Sequence, residues 1–108
     1  MGVKVPPSAT NFYHHEGGGL PFVMVQYRFD FASRDLPVLV ERLPCALGPI
    51  ETGPPAFATV GTNDRDWYTP ESAQRHRGCE GRRDIWAFAV LIDVARAQTY
   101  TAYMVLSD

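Results

Sequence analysis

His14-His15-Glu16, followed by Gly17-Gly18-Gly19, is the first place along this chain where residue types and spacing could do chemistry. Adjacent imidazoles on a glycine-rich segment can ligate a transition metal, and His76 with Cys79 adds one nitrogen and one sulfur at an x2 spacing. That is half of a four-ligand set. It matches no zinc-site spacing, so His14, His15, His76 and Cys79 stand as weak metal candidates, and the expectation is no metal and no cofactor. Two loop histidines and one at a helix end, where the positive form suits the C-terminal dipole, account for the same residues.

Cys79 also sits among Arg75, His76, Arg77, Arg82 and Arg83, and nearby cations lower a thiol pKa as a nucleophile requires. Against that role, the C-terminal end of a helix disfavours a thiolate, and His76, three residues back on a short surface helix, is a poor general base. No catalytic residue is assigned. Cys45, between Pro44 and Ala46, reads as a small buried apolar group. With no second pair beside either cysteine, neither a disulfide framework nor a CxxC site is indicated, and the expectation is a cytoplasmic protein with reduced thiols.

The same arginines, with Trp67 and Tyr68 upstream, form the one basic concentration and could meet phosphate, nucleic acid or an acidic protein surface. Glu80 and Asp84 dilute it. The pI of about 5.9 lies far below that of a typical nucleic-acid-binding domain, which makes nucleic acid an unfavoured partner and an acidic protein the preferred one. Asp64, Asp66 and Glu71 lack the glycine and terminal Glu spacing of a calcium loop and suit turns and caps better. No dinucleotide, phosphate-loop, nucleophile-elbow or zinc-protease motif occurs. With three histidines there are few acid-base candidates, so the sequence favours a binding module over an enzyme.

The 108 residues carry a net charge of −2 and 45% apolar residues, enough for one domain over 1–108 with a single core. The longest apolar run, from Ile85 to Ile92, is far short of the roughly 20 residues a bilayer requires, so no membrane partner is expected. The N-terminus has no apolar stretch of the kind a secretory signal needs. The preponderance of Arg over Lys hints at a bacterial or phage origin.

Residues 1–21, with PP, HH and GGG, read as an irregular N-terminal arm. From Phe22 to Phe31 the alternation of Val23, Val25, Tyr27, Phe29 and Phe31 with polar positions marks a half-buried strand. Ser33 or Asp35 can cap a helix in which Leu36, Leu39, Val40 and Leu43 recur, ended by Pro44. Residues 44–55 read as a loop, Ala56 to Thr62 as a short strand and 63–66 as a turn. Thr69-Pro70-Glu71 then signals a short surface helix ending at Gly78.

The last 24 residues read as a hairpin, with a turn at Arg96 and Ala97 that pairs Val94 with Thr99, Val90 with Tyr103, Phe88 with Val105, Ala89 with Met104 and Leu91 with Ala102. Both faces are apolar, so both must be covered. The main helix is expected on the face of Ala87, Ala89 and Ala102, and Tyr27, Trp86, Phe88 and Tyr103 are candidates for an apolar face or cavity on the other. The resulting expectation is α+β: an antiparallel sheet of about four strands packed on one main helix, in the order β-α-β-(short α)-β-β.

For function, the sequence points to a small non-catalytic protein-binding or regulatory module, such as an accessory or inhibitor protein of a larger assembly. Trp67, Tyr68, Arg75, Arg77, Arg82 and Arg83 would meet the partner, since Trp, Tyr and Arg dominate binding hot spots. The alternative is a small-molecule-binding protein or small enzyme with an aromatic cavity between sheet and arm or at a dimer interface. A homodimer is compatible with either.

Overall fold

The computed structural model describes residues 5–17, 24–53, 66, 67 and 69–107. Their architecture is one antiparallel sheet of six strands, in the order β1-β2-β6-β5-β4-β3. The strands are β1 (Thr10–Gly17), β2 (Met24–Ala32), β3 (Glu51–Thr52), β4 (Arg75–Arg83), β5 (Trp86–Asp93) and β6 (Thr99–Ser107). Among the described residues the one α-helix is α1 (Leu36–Arg42), entered through a 3₁₀ turn at Ser33–Asp35. Four strands on one main helix is therefore corrected to six strands with one short helix, and the chain order becomes β1-β2-α1-β3-β4-β5-β6.

Two strands account for most of that difference. The arm supplies β1, which pairs with β2 from Thr10 opposite Asp30 to Gly17 opposite Met24. Its sequence, TNFYHHEG, is polar and largely exposed, because an edge strand needs its backbone partners more than an apolar face. The helix expected from Pro70 to Gly78 is only a 3₁₀ turn at Pro70–Ser72, after which β4 runs antiparallel to β5 from His76 opposite Asp93 to Arg83 opposite Trp86. Here the apolar β5, which needs a neighbour on both edges, overrides a local helix signal made only of a cap and a proline. Asp84, with φ of +55°, opens the two-residue turn between them as primed hairpin turns require. The strand expected at 56–62 lies outside the described residues.

The terminal hairpin forms, but one residue out of the expected register: Val90 faces Met104, Leu91 faces Tyr103 and Phe88 faces Leu106. Val94 is drawn out of the turn because its N–H bonds to the Arg75 carbonyl at 2.9 Å, and the Ala95 N–H bonds to the Asp93 carboxylate at 3.0 Å. A one-residue slip exchanges the faces of every side chain on one strand relative to the other. The core on the helix side thus joins Phe29 and Phe31 of β2, Val90 and Ile92 of β5, and Ala102 and Met104 of β6, with Leu39 of α1 fully buried against them. Of the three alanines expected beneath the helix only Ala102 lies there. Ala87 and Ala89 alternate onto the opposite face, where Leu91 and Tyr103 pack with Ala73 and Trp67.

Beyond α1 the chain is fastened to β4 on the helix side. Cys45 and Cys79 form a disulfide with Cα atoms 5.9 Å apart, the Gly48 N–H bonds to the Gly78 carbonyl at 2.9 Å, and Arg77 Nε–H bonds to the Gly48 carbonyl at 2.7 Å. The expectation of reduced thiols is overturned. Sequence spacing could not pair them, since β4 was not expected to be a strand.

Candidate functional site

The face of the sheet away from α1 carries the densest group of polar and aromatic side chains, built where β1, β2 and β6 meet the segment around Trp67. Its centre is Asp30, only 6% exposed. One carboxylate oxygen accepts from the Thr101 hydroxyl at 2.6 Å and pairs with the Arg28 guanidinium at 3.1 Å, while the other accepts from the Asn11 amide at 2.8 Å. Burial would raise the Asp30 pKa, but the hydrogen bonds from Thr101 and Asn11, with the positive charges of Arg28 and Arg96, outweigh it and hold the carboxyl below its ordinary value. The group is thus a fixed anion.

Asn11 reaches Asp30 because β1 is bulged between Thr10 and Tyr13 and Asn11 takes a φ of +51°, a conformation its short polar side chain tolerates better than most. Arg28 is held at both ends, since it also donates to the Asn11 carbonyl at 3.1 Å. It lies 5.8 Å from the centre of the Tyr13 ring, which in turn stacks on Trp67 with centroids 5.5 Å apart. Asn11, Tyr13, Arg28, Asp66 and Trp67 line an open pocket of about 430 Å³. Behind it Thr69 and Tyr103 approach hydroxyl to hydroxyl at 3.4 Å. A cation, two stacked rings and a hydrogen-bonded carboxylate thus share one face of the sheet.

The residues singled out in the sequence fall elsewhere for the most part. Trp67 lines this site, Tyr68 lies outside the described residues, and the arginines are spread along β4. Arg75 and Arg77 share the helix face, Arg77 with its guanidinium on Gly48, whereas Arg82 is exposed on the other face beside a hollow of about 460 Å³ that includes Ala87, Ala89 and Val105. Arg83 ends the strand. Tyr27, Trp86 and Phe88 lie on the helix face and Tyr103 on the opposite one, so the four do not form one cavity.

The metal candidates are not brought together either. His14 stacks on Tyr27 on one face of β1, with ring centroids 5.8 Å apart, and His15 falls on the other face. His76, 2% exposed on β4 and not at a helix end, has its Nε2 3.0 Å from the Gly53 carbonyl oxygen, and Cys79 is in the disulfide. Four strand spacings, about 19 Å, separate β1 from β4. Among the described residues no three His, Cys, Asp or Glu side chains are grouped to hold a metal.

Sequence reasoning missed Asn11, Tyr13, Asp30 and Thr101. The alternation that marks β2 did contain the signal: Gln26, Arg28 and Asp30 are consecutive polar positions on one face of a strand, and they needed polar neighbours. No helix among the described residues is long and apolar enough to cross a membrane. No protein-family model, curated protein or solved structure matches this chain.

Proposed function

We propose that the protein is a small non-catalytic binding module that takes an extended polypeptide segment alongside β1. The observation that carries this reading is the contrast between the two edges of the sheet. At one edge β3 is two residues long, and β4 beyond it is occupied by the Gly48–Gly78 hydrogen bond and the Cys45–Cys79 bridge and carries the charged Glu80 and Arg82. The other edge among the described residues, β1, carries neither lysine nor proline, and its bulge is confined to the Thr10–Tyr13 end, which leaves Tyr13–Gly17 as a regular edge. Phe12 and Tyr13, 49% and 45% exposed, project from its two faces. A segment added there would gain main-chain hydrogen bonds from the edge and side-chain contacts from Phe12 on one face and the Tyr13, Trp67 and Arg28 site on the other. An acidic residue in that segment suits Arg28, two strands in from the added segment. The disulfide supports an oxidising compartment over the cytoplasm.

Selection of random peptides displayed on phage tests the reading. Enriched sequences should be extended and aromatic or acidic, and should lose binding at least tenfold to Tyr13→Ala, Trp67→Ala or Phe12→Lys. Binders indifferent to all three substitutions would refute the assignment. A second reading rests on the pocket of about 430 Å³, whose paired rings, with polar groups from Asn11, Arg28 and Asp66, suit a planar polar small molecule. Native mass spectrometry of gently purified protein would then show a retained ligand that Trp67→Ala abolishes.

A further inference from the structure

We infer that the strand taken up by β1 is β1 of a second copy of this chain, so that two sheets join edge to edge about a two-fold axis. The inference rests on the reading of β1 as a docking edge and names its occupant. Backbone groups that point away from β2 come from every second residue, so in a symmetric antiparallel pair the numbers of facing residues must sum to an even value. Registers centred near Asn11 meet the bulge between Thr10 and Tyr13. A register centred on Tyr13 also runs into the bulge, and one centred on Glu16 sets two carboxylates opposite each other, which leaves two along the regular half of the strand.

In one, His14 faces its own copy and Phe12 faces a carboxylate, a poor match on both counts. In the other, His15 faces its own copy, His14 faces Glu16 and Tyr13 faces Gly17, each contact occurring twice. His14 and Glu16 lie on the same face of β1, opposite Tyr27 and Val25 of β2, so the imidazole would meet the carboxylate across the new ladder as hydrogen-bond donor to acceptor. On the other face the His15 ring already leans over Gly17, its Nε2 2.9 Å from where a Cβ would stand. Tyr13, whose ring is held by Trp67, would then cover a glycine and the edge of that imidazole instead of a competing side chain. The second register satisfies both faces at once. It also brings the two Trp67-Tyr13-Arg28 sites onto one continuous sheet surface.

This register pairs residues 13–17, five on each strand, and buries well under the roughly 1,600 Å² of a standard interface, so the dimer is weak and concentration-dependent. Sedimentation equilibrium of the intact, disulfide-bonded chain from about 5 µM to about 1 mM spans the range such an interface reaches. The mass should climb from 12.0 kDa toward twice that value. Glu16→Lys should weaken the association at least tenfold, and His14→Glu added to Glu16→Lys should restore it. Circular dichroism checks that these exposed substitutions leave the fold intact. A chain that stays at 12.0 kDa at the highest concentration overturns the inference, as does a dimer that neither variant alters. If peptides still bind β1 while the chain stays monomeric, the docking edge stands and only its occupant is wrong.

Discussion

Asp30 is the residue on which the polar face of the sheet depends. Three neighbours direct donors at its carboxylate from β1, β2 and β6, so the side chain ties together strands that share little apolar surface on this face. Asp30→Asn replaces an anion by an amide that cannot accept all three. The expected loss is about 2–3 kcal/mol in denaturant unfolding, because hydrogen bonds to charged groups are worth more than neutral ones and Arg28 is left half-buried without its anion. The pH dependence follows from the lowered pKa. A carboxyl whose folded value is depressed below 3.8 gives its full contribution above that value and loses it as pH falls through the folded value. Acid titration of unfolding free energy should therefore show a larger decline below about pH 4 in the native chain than in Asp30→Asn. Equal declines would mean that other carboxylates carry the acid sensitivity.

At the scale of elements, α1 is a short helix with one task. Leu39 is its single buried residue, and it closes the core over Phe29, Phe31, Ile92 and Met104. Leu39→Ala should cost about 2–5 kcal/mol, read as a lower denaturation midpoint with unchanged slope. Elements like α1, β2, β5 and β6 were readable in the sequence because burial writes a period of two or 3.6 into the apolar residues. Three strands were not: the two-residue β3 lies in a stretch that reads as a loop, and β1 and β4 are polar strands that exist because a neighbour supplies their hydrogen-bond partners. Arg75, His76, Arg77 and Glu80 have no apolar rhythm to betray a strand. The site was hidden for the same reason: Tyr13 sits in an arm that looked irregular, and the slip that sends Tyr103 to the face of Trp67 depends on a bond from Val94 to a strand that was not foreseen.

For the whole molecule, the Cys45–Cys79 disulfide spans 34 positions and joins the exit of the helix to the fifth strand in the sheet order. Closing a loop of that length in the unfolded chain is worth roughly 3–4 kcal/mol in the chain-entropy view, a large share of the stability of a domain this size. Reduction, or Cys79→Ala, should lower the melting temperature by more than ten degrees, at about 4–8 °C per kcal/mol. A fall of only a degree or two would show that the loop from Pro44 to Ile50 is held by Gly48 and Arg77 without covalent help.

The same bridge also makes the covalent chain a ring with two tails. Residues 46–78 lie inside it, so a protease that cuts once in that stretch yields two polypeptides that stay joined, with the helix and β2 on one and β5 and β6 on the other. Such a nicked molecule keeps its core pairing of β2 with β6. It would run as one species on a non-reducing gel and as two after reduction.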